Sequence, residues 1–184
     1  KPDPSKAVRP GVVYTMDGSV SANLRPGQYT CYATRGFEYS RATQTVEIKG
    51  GAMEELKMSI TREVPMPGYV SCDTHIHVRT FSGHGDSTAE ERIPTIAGEH
   101  IEFAVATDHN VHADYRPFQK NVEAEAHFTA VIGNEVTTSA GHFNIFPIDV
   151  GHKPADHKTM DWQVLMQRMR STPGVQVVQL NHPR

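Results

Sequence analysis

The sequence predicts an α/β fold, with parallel strands covered by helices over residues 67–184 and a small antiparallel β-sandwich-like domain over residues 1–66. Three observations predict it. Short alternating strands and tight turns fill the first part. Apolar runs alternate with helical segments after Gly68. All 11 histidines lie in the second part, beginning at His75.

In the first part, Tyr29, Cys31 and Ala33 alternate with Gln28, Thr30, Tyr32 and Thr34, the period-2 pattern of a half-buried strand. Val46 and Ile48 continue it. Gly50-Gly51 then predicts a hairpin leading to Leu56, Met58 and Ile60. Val64-Pro65-Met66-Pro67-Gly68 reads as a linker, because proline removes ladder donors and stiffens the chain.

In the second part, Gly68 to Cys72 leads into Asp73-Thr74-His75-Ile76-His77. Ser87 to Glu99 reads as a helix that Pro94 should kink or split, with Ser87 and Glu90 as a capping box. Phe103 to Ala106 is an apolar run ending at Thr107-Asp108-His109. Ala130 to Ile132 ends at Gly133-Asn134-Glu135, and Gly141-His142 precedes another strand, Phe143 to Ile148. A second helix spans Asp161 to Arg170. Val175 to Leu180 then ends at Asn181-His182. Alternating strand and helix implies parallel strands, whose carboxyl ends are where loops build active sites.

Composition narrows the function. A net charge of -3 argues against a nucleic-acid or anionic-membrane partner recruited by bulk electrostatics. No apolar stretch approaches the roughly 18 residues of a membrane span. Cys31 and Cys72 are too few for a disulfide framework or a cysteine zinc cluster.

The strand ends carry the chemistry. Side chains at i, i+2 and i+4 of a strand share a face, so Asp73, His75 and His77 point together. Two imidazoles so spaced grip one cation of the zinc, manganese or iron type; two polar residues at a strand end is the plain alternative. His109 ends the next run, with Asp108 and Asn110 beside it as partners that orient imidazoles. Glu135 can bridge two cations. His142 and His182 complete the series, and Asp86 or His84, in the loop after the first strand, supplies one further ligand. Asp108 and Arg184 make up the candidate catalytic set, Arg184 as an anchor for an anionic group or simply a solvated cation. His100, His112, His127, His152 and His157 read as ordinary histidines. Paired divalent ions lower the pKa of a bound water from about 15.7 towards about 7, giving a hydroxide nucleophile at neutral pH. No glycine-rich phosphate loop and no Gly-x-Ser-x-Gly elbow occurs, so hydrolysis by such a hydroxide is the expected chemistry.

Asp73-Thr74-His75-Ile76-His77, Thr107-Asp108-His109-Asn110, Gly133-Asn134-Glu135, Gly141-His142 and Asn181-His182-Pro183 resemble successive motifs of the polymerase and histidinol phosphatase (PHP) superfamily. Ser82-Gly83-His84-Gly85-Asp86 is similar to its CehA/McbA-like branch. The resemblance covers roughly residues 68 to 184 and implies a distorted (β/α)7 barrel holding two or three divalent ions, zinc, manganese or iron. It implies a phosphoesterase acting on a small phosphorylated ester, or on a carbamate or carboxyl ester. By motif, His75, His77, Glu135, His142 and His182 would be ligands, His109 would serve a further cation, and Asp86 or His84 would follow the first motif.

The family closes its site with a late Asp-x-His pair, whereas this sequence stops at Arg184. The expectation is a partial chain, incomplete at its C-terminus, that binds metal incompletely and turns over poorly. The β-domain and the resemblance point to a periplasmic or secreted setting, without targeting residues to support it. The amidohydrolase superfamily also ends its first strand in His-x-His, but Thr107-Asp108-His109 directly on the second strand fits PHP better. A non-catalytic extracellular binding module is the rival from another class, although a degenerate site should have lost ligands.

Overall fold

The computed structural model describes residues 3–182. Strand β1 (Lys6–Arg9) pairs antiparallel with β2 (Val12–Thr15), and β3 (Gly27–Ala33) with β4 (Ala42–Ile48). Tyr29, Cys31 and Ala33 are the half-buried positions of β3, as alternation predicts. These are separate two-stranded hairpins rather than the sandwich expected. The anticipated strand through Leu56, Met58 and Ile60 does not form. After the turn at Lys49–Ala52 the segment bonds back to the connection between β3 and β4, where Ser40 N–H donates to Thr61 O and Glu63 N–H to Glu38 O, each at 2.8 Å.

Strand β5 (Cys72–Ile76) begins a parallel sheet, followed by one-turn helix α1 (Arg79–Ser82), helix α2 (Ala89–Gly98) and strand β6 (Phe103–Ala106). Helix α3 (Arg116–Asn121) then leads to β7 (Thr129–Ile132), which pairs parallel with β6. Ile93 and Ile96 of α2 pack under this sheet with Ile76, Val78, Ala104 and Tyr115. The capping box of α2 is Thr88 with Glu91, one residue beyond the pair expected, each side chain bonding the other's backbone N–H. Pro94 does not split the helix, which runs unbroken with Ile93 fully buried beside it.

The second sheet overturns the barrel. β8 (Asn134–Thr138), β9 (Gly141–Phe146) and β10 (Val177–Asn181) form an antiparallel sheet in the order β10-β9-β8. The distorted (β/α)7 barrel is therefore not formed: ten strands and four helices lie in small sheets, none closed among the described residues. The connection from β8 to β9 is Ser139-Ala140, too short for the dozen or so residues a parallel crossover requires. Helix α4 (Trp162–Arg170), capped by Asp161 accepting from Gln163 N and Val164 N, covers this sheet with Leu165 and Met169.

The sheets join at Gly133. A Cβ there would lie 2.7 Å from Val105 Cγ1 and 2.8 Å from Ala106 O, so only glycine lets the chain pass from β7 into β8 at this separation. The first hairpin lies against α2, with Ala7 buried and Arg9 Nη1 3.3 Å from Glu91 Oε1. Glu38, paired with Arg62 and 3.9 Å from His100 Nδ1, fastens the second hairpin to the end of α2. Glu102 lies close enough to that pair to suggest an ion site, but Arg62 already supplies Glu38 with a counter-cation.

Candidate metal centre

The centre is built where the two sheets meet. β5 contacts the second sheet through side chains: Asn144 Nδ2 donates to Thr74 O at 2.6 Å and Thr74 Oγ1 to Gln179 Oε1 at 3.0 Å. His109 and Glu135 form an isolated parallel bridge, extended by Asn110 N donating to Glu135 O at 2.9 Å. His75 and His77 from the end of β5 and His109 from beyond β6 thus face Glu135, His142 and His182 from the other sheet.

Glu135 is fully buried, and its two oxygens divide the histidines between them. Oε1 lies 3.4 Å from His75 Nε2, 3.1 Å from His142 Nδ1 and 3.6 Å from His182 Nε2. Oε2 lies 3.2 Å from His77 Nε2 and 2.8 Å from His109 Nδ1. His84 joins the Oε2 side, its ring centroid 5.4 Å from that of His77 and 4.7 Å from that of His109. Three overlapping groups bring ligand atoms within 4.8 Å of one another: His75, His77 and Glu135; His109, Glu135 and His142; His77, His84 and His109.

The electrostatics suit a cation. Burial pulls the His75 and His109 imidazoles below their ordinary pKa, against the pull of Glu135, so their lone pairs are free at neutral pH. Burial also pushes the Glu135 carboxyl up, but contacts with His77 and Asn181 and the nearby His109 and His75 outweigh it and bring its pKa down to about 2. Oε2 of Glu135 is buried and accepts no well-formed hydrogen bond, although two imidazole nitrogens crowd it. A buried carboxylate oxygen left so among imidazole nitrogens fits a divalent ion better than it fits a folded core. The donor set, imidazole nitrogen with one carboxylate, suits zinc, manganese or iron.

The surrounding hydrogen bonds orient the rings. Thr137 Oγ1 lies 2.6 Å from His109 Nδ1. Asn110, in the left-handed region at φ 52°, clamps Thr137 by accepting from its N–H at 3.0 Å and donating to its carbonyl at 3.3 Å. Asn181 Nδ2 donates to Glu135 Oε1 at 3.2 Å.

Of the residues singled out from the sequence, His75, His77, His109, Glu135, His142 and His182 come together. Asp86 does not: it is exposed and paired with Arg92, and His84 is the member of that loop brought to the cluster. Asp73 turns back on its own backbone, accepting from His75 N at 2.9 Å. Asp108 is fully buried behind the cluster and accepts from Val78 N (2.9 Å), Ser82 Oγ (2.6 Å) and Tyr115 OH (2.8 Å), so it supports the site without lining it. Burial and this carboxylate push the Tyr115 hydroxyl pKa well up, which keeps it a donor. Arg184 lies outside the described residues. Ser82, Thr137 and Asn181 join the site without having been picked out as members of it; Ser82 and Asn181 had a signal only in standing within the motifs that carry His84 and His182.

Neither a protein-family model, nor a curated protein, nor a solved structure matches this chain.

Proposed function

We propose that the chain carries the metal centre of a divalent-metal-dependent hydrolase, and that its substrate is a small anionic ester, a phosphoester first. The observation that carries this reading is the division of five imidazoles between the two oxygens of Glu135, the arrangement a bridging carboxylate takes between paired ions. Zinc, manganese or iron bound there would supply Lewis acidity and a water acidified from about 15.7 towards about 7.

The chain's own residues do the rest. The imidazoles hold the ligand atoms in place, and Glu135, anionic and closed off from solvent, cannot be displaced by bulk water. His182 is 58% exposed at its side chain, which leaves the Oε1 side open to an incoming molecule. Because Glu135 is the one carboxylate in the cluster among the described residues, the residues leave most of the charge of any bound divalent ions uncompensated, and this favours an anionic substrate over a neutral one.

The test is elemental analysis of the protein purified without added metal, followed by initial rates on an aryl phosphate, an aryl carbamate and an aryl acetate after loading with zinc, manganese or iron. Stoichiometric metal with turnover of the phosphate supports the proposal. Stoichiometric metal with turnover of the neutral esters alone moves the substrate class. Absence of bound metal overturns it.

A further inference from the structure

We propose that Ser82 is a positioning residue of the metal centre: its hydroxyl fixes the proton of the His77 imidazole on Nδ1 and so aims Nε2 at the ions. The inference rests on the metal-centre reading above and concerns how one ligand is held.

The argument begins with a count of what a serine hydroxyl can do. It has one proton to give and two lone pairs to receive with. At Ser82 all three are spoken for. The proton goes to Asp108 Oδ1 at 2.6 Å. One lone pair accepts the backbone N–H of His109 at 3.2 Å. The other faces His77 Nδ1 at 3.4 Å.

Asp108 leaves no choice about the first of these. It is fully buried, and the Val78 N–H shares Oδ1 with Ser82 while the Tyr115 hydroxyl occupies Oδ2. A carboxylate among donors accepts; it has no proton for Ser82. With its own proton committed, Ser82 can only accept from His77, so once an ion takes the Nε2 lone pair in place of the Glu135 contact, Nδ1 carries the hydrogen that bonds Ser82. Nε2 is the nitrogen 3.2 Å from Glu135 Oε2, on the side where the ligand atoms gather. The bond also pins the backbone of His109, so one hydroxyl aligns two ligands from two strands.

Local structure explains how Ser82 reaches this position. It is the last residue of α1, a single turn ended by Gly83 at φ 72°, whose N–H closes on Arg79 O. The left-handed residue turns the chain away and lets the next residue, His84, approach the rings of His77 and His109.

The first measurement needs no variant. In zinc-loaded protein, imidazole nitrogen NMR should show His77 ligated through Nε2 with Nδ1 protonated; ligation through Nδ1 overturns the proposal. Ser82→Ala should then give a mixed tautomer at His77 and weaken zinc binding, measured by competition with a chromophoric chelator, by about 10- to 100-fold. Ser82→Thr, which keeps the hydroxyl, should restore both. Unchanged affinity in Ser82→Ala, weaker binding with an unchanged tautomer, or no recovery in Ser82→Thr each overturns it. Failure of the metal-centre reading is distinguishable, because the wild-type protein would then bind no zinc whatever its His77 tautomer.

Discussion

His109 and Glu135 are paired twice. Their backbones form an isolated parallel bridge between the two sheets, and beyond it His109 Nδ1 lies 2.8 Å from Glu135 Oε2. Main chain and side chain therefore fix the same separation, so the carboxylate is held in place before any ion arrives.

Replacing Glu135 by Gln keeps the shape and removes the charge. Metal content should fall below that of the wild type, and hydrolysis of an aryl phosphate should drop by more than the roughly 10- to 100-fold expected from losing an orienting partner. Elemental analysis and initial rates measure both, with circular dichroism to show that the fold persists.

His84 and Asp86 should separate cleanly. His84→Ala should weaken metal binding, because the ring belongs to the group with His77 and His109. Asp86→Ala should leave metal content unchanged, because that carboxylate is engaged by Arg92 at the surface. Metal titrations of the two variants side by side decide it.

The pH dependence of metal binding follows from the buried imidazoles. Burial lowers the pKa of His75 and His109 below the ordinary 6.5, so both stay neutral and ligand-competent at a pH where a free histidine is half protonated. Half-release of metal in an acid titration should fall below pH 6.5, and half-release above it would contradict the geometry. In the metal-free protein the sign is the same. The unfolded chain binds these protons first, so stability contributed by the neutral rings is present above 6.5 and is lost as pH falls through the lowered values.

Gly133→Ala should destabilise the fold by about 1–3 kcal/mol, since the new methyl meets Val105 and the carbonyl of Ala106 at the sheet junction. Urea unfolding measures this, and metal affinity should weaken with it because Glu135 lies just beyond.

Much of the centre was legible because strand-end ligands announce themselves. His75, His77, His109, Glu135, His142 and His182 each follow or open an apolar run, and that placement alone drew them together. The sheet directions were not legible. Ala130 to Ile132 and the stretch beyond Gly133 look like one buried strand, and Ser139-Ala140 lacks the glycine or asparagine that marks a tight hairpin. The antiparallel turn therefore went unread, and with it the absence of a closed barrel. The sequence left Asp86 and His84 open as the further ligand, because the capture of Asp86 depends on α2 setting Arg92 beside the loop. Ser82 opens the motif Ser82-Gly83-His84-Gly85-Asp86, but its role was not legible there, since it exists only once Asp108 and His77 are folded around it.

The passage at Gly133 has one more effect. Since one half of the molecule presents His75, His77 and His109 and the other presents Glu135, His142 and His182, an ion lodged between them would act as a rivet through the seam. Prying the halves apart would then mean breaking coordination bonds as well as van der Waals contacts, and part of the affinity for the ion would be spent as cohesion of the whole chain.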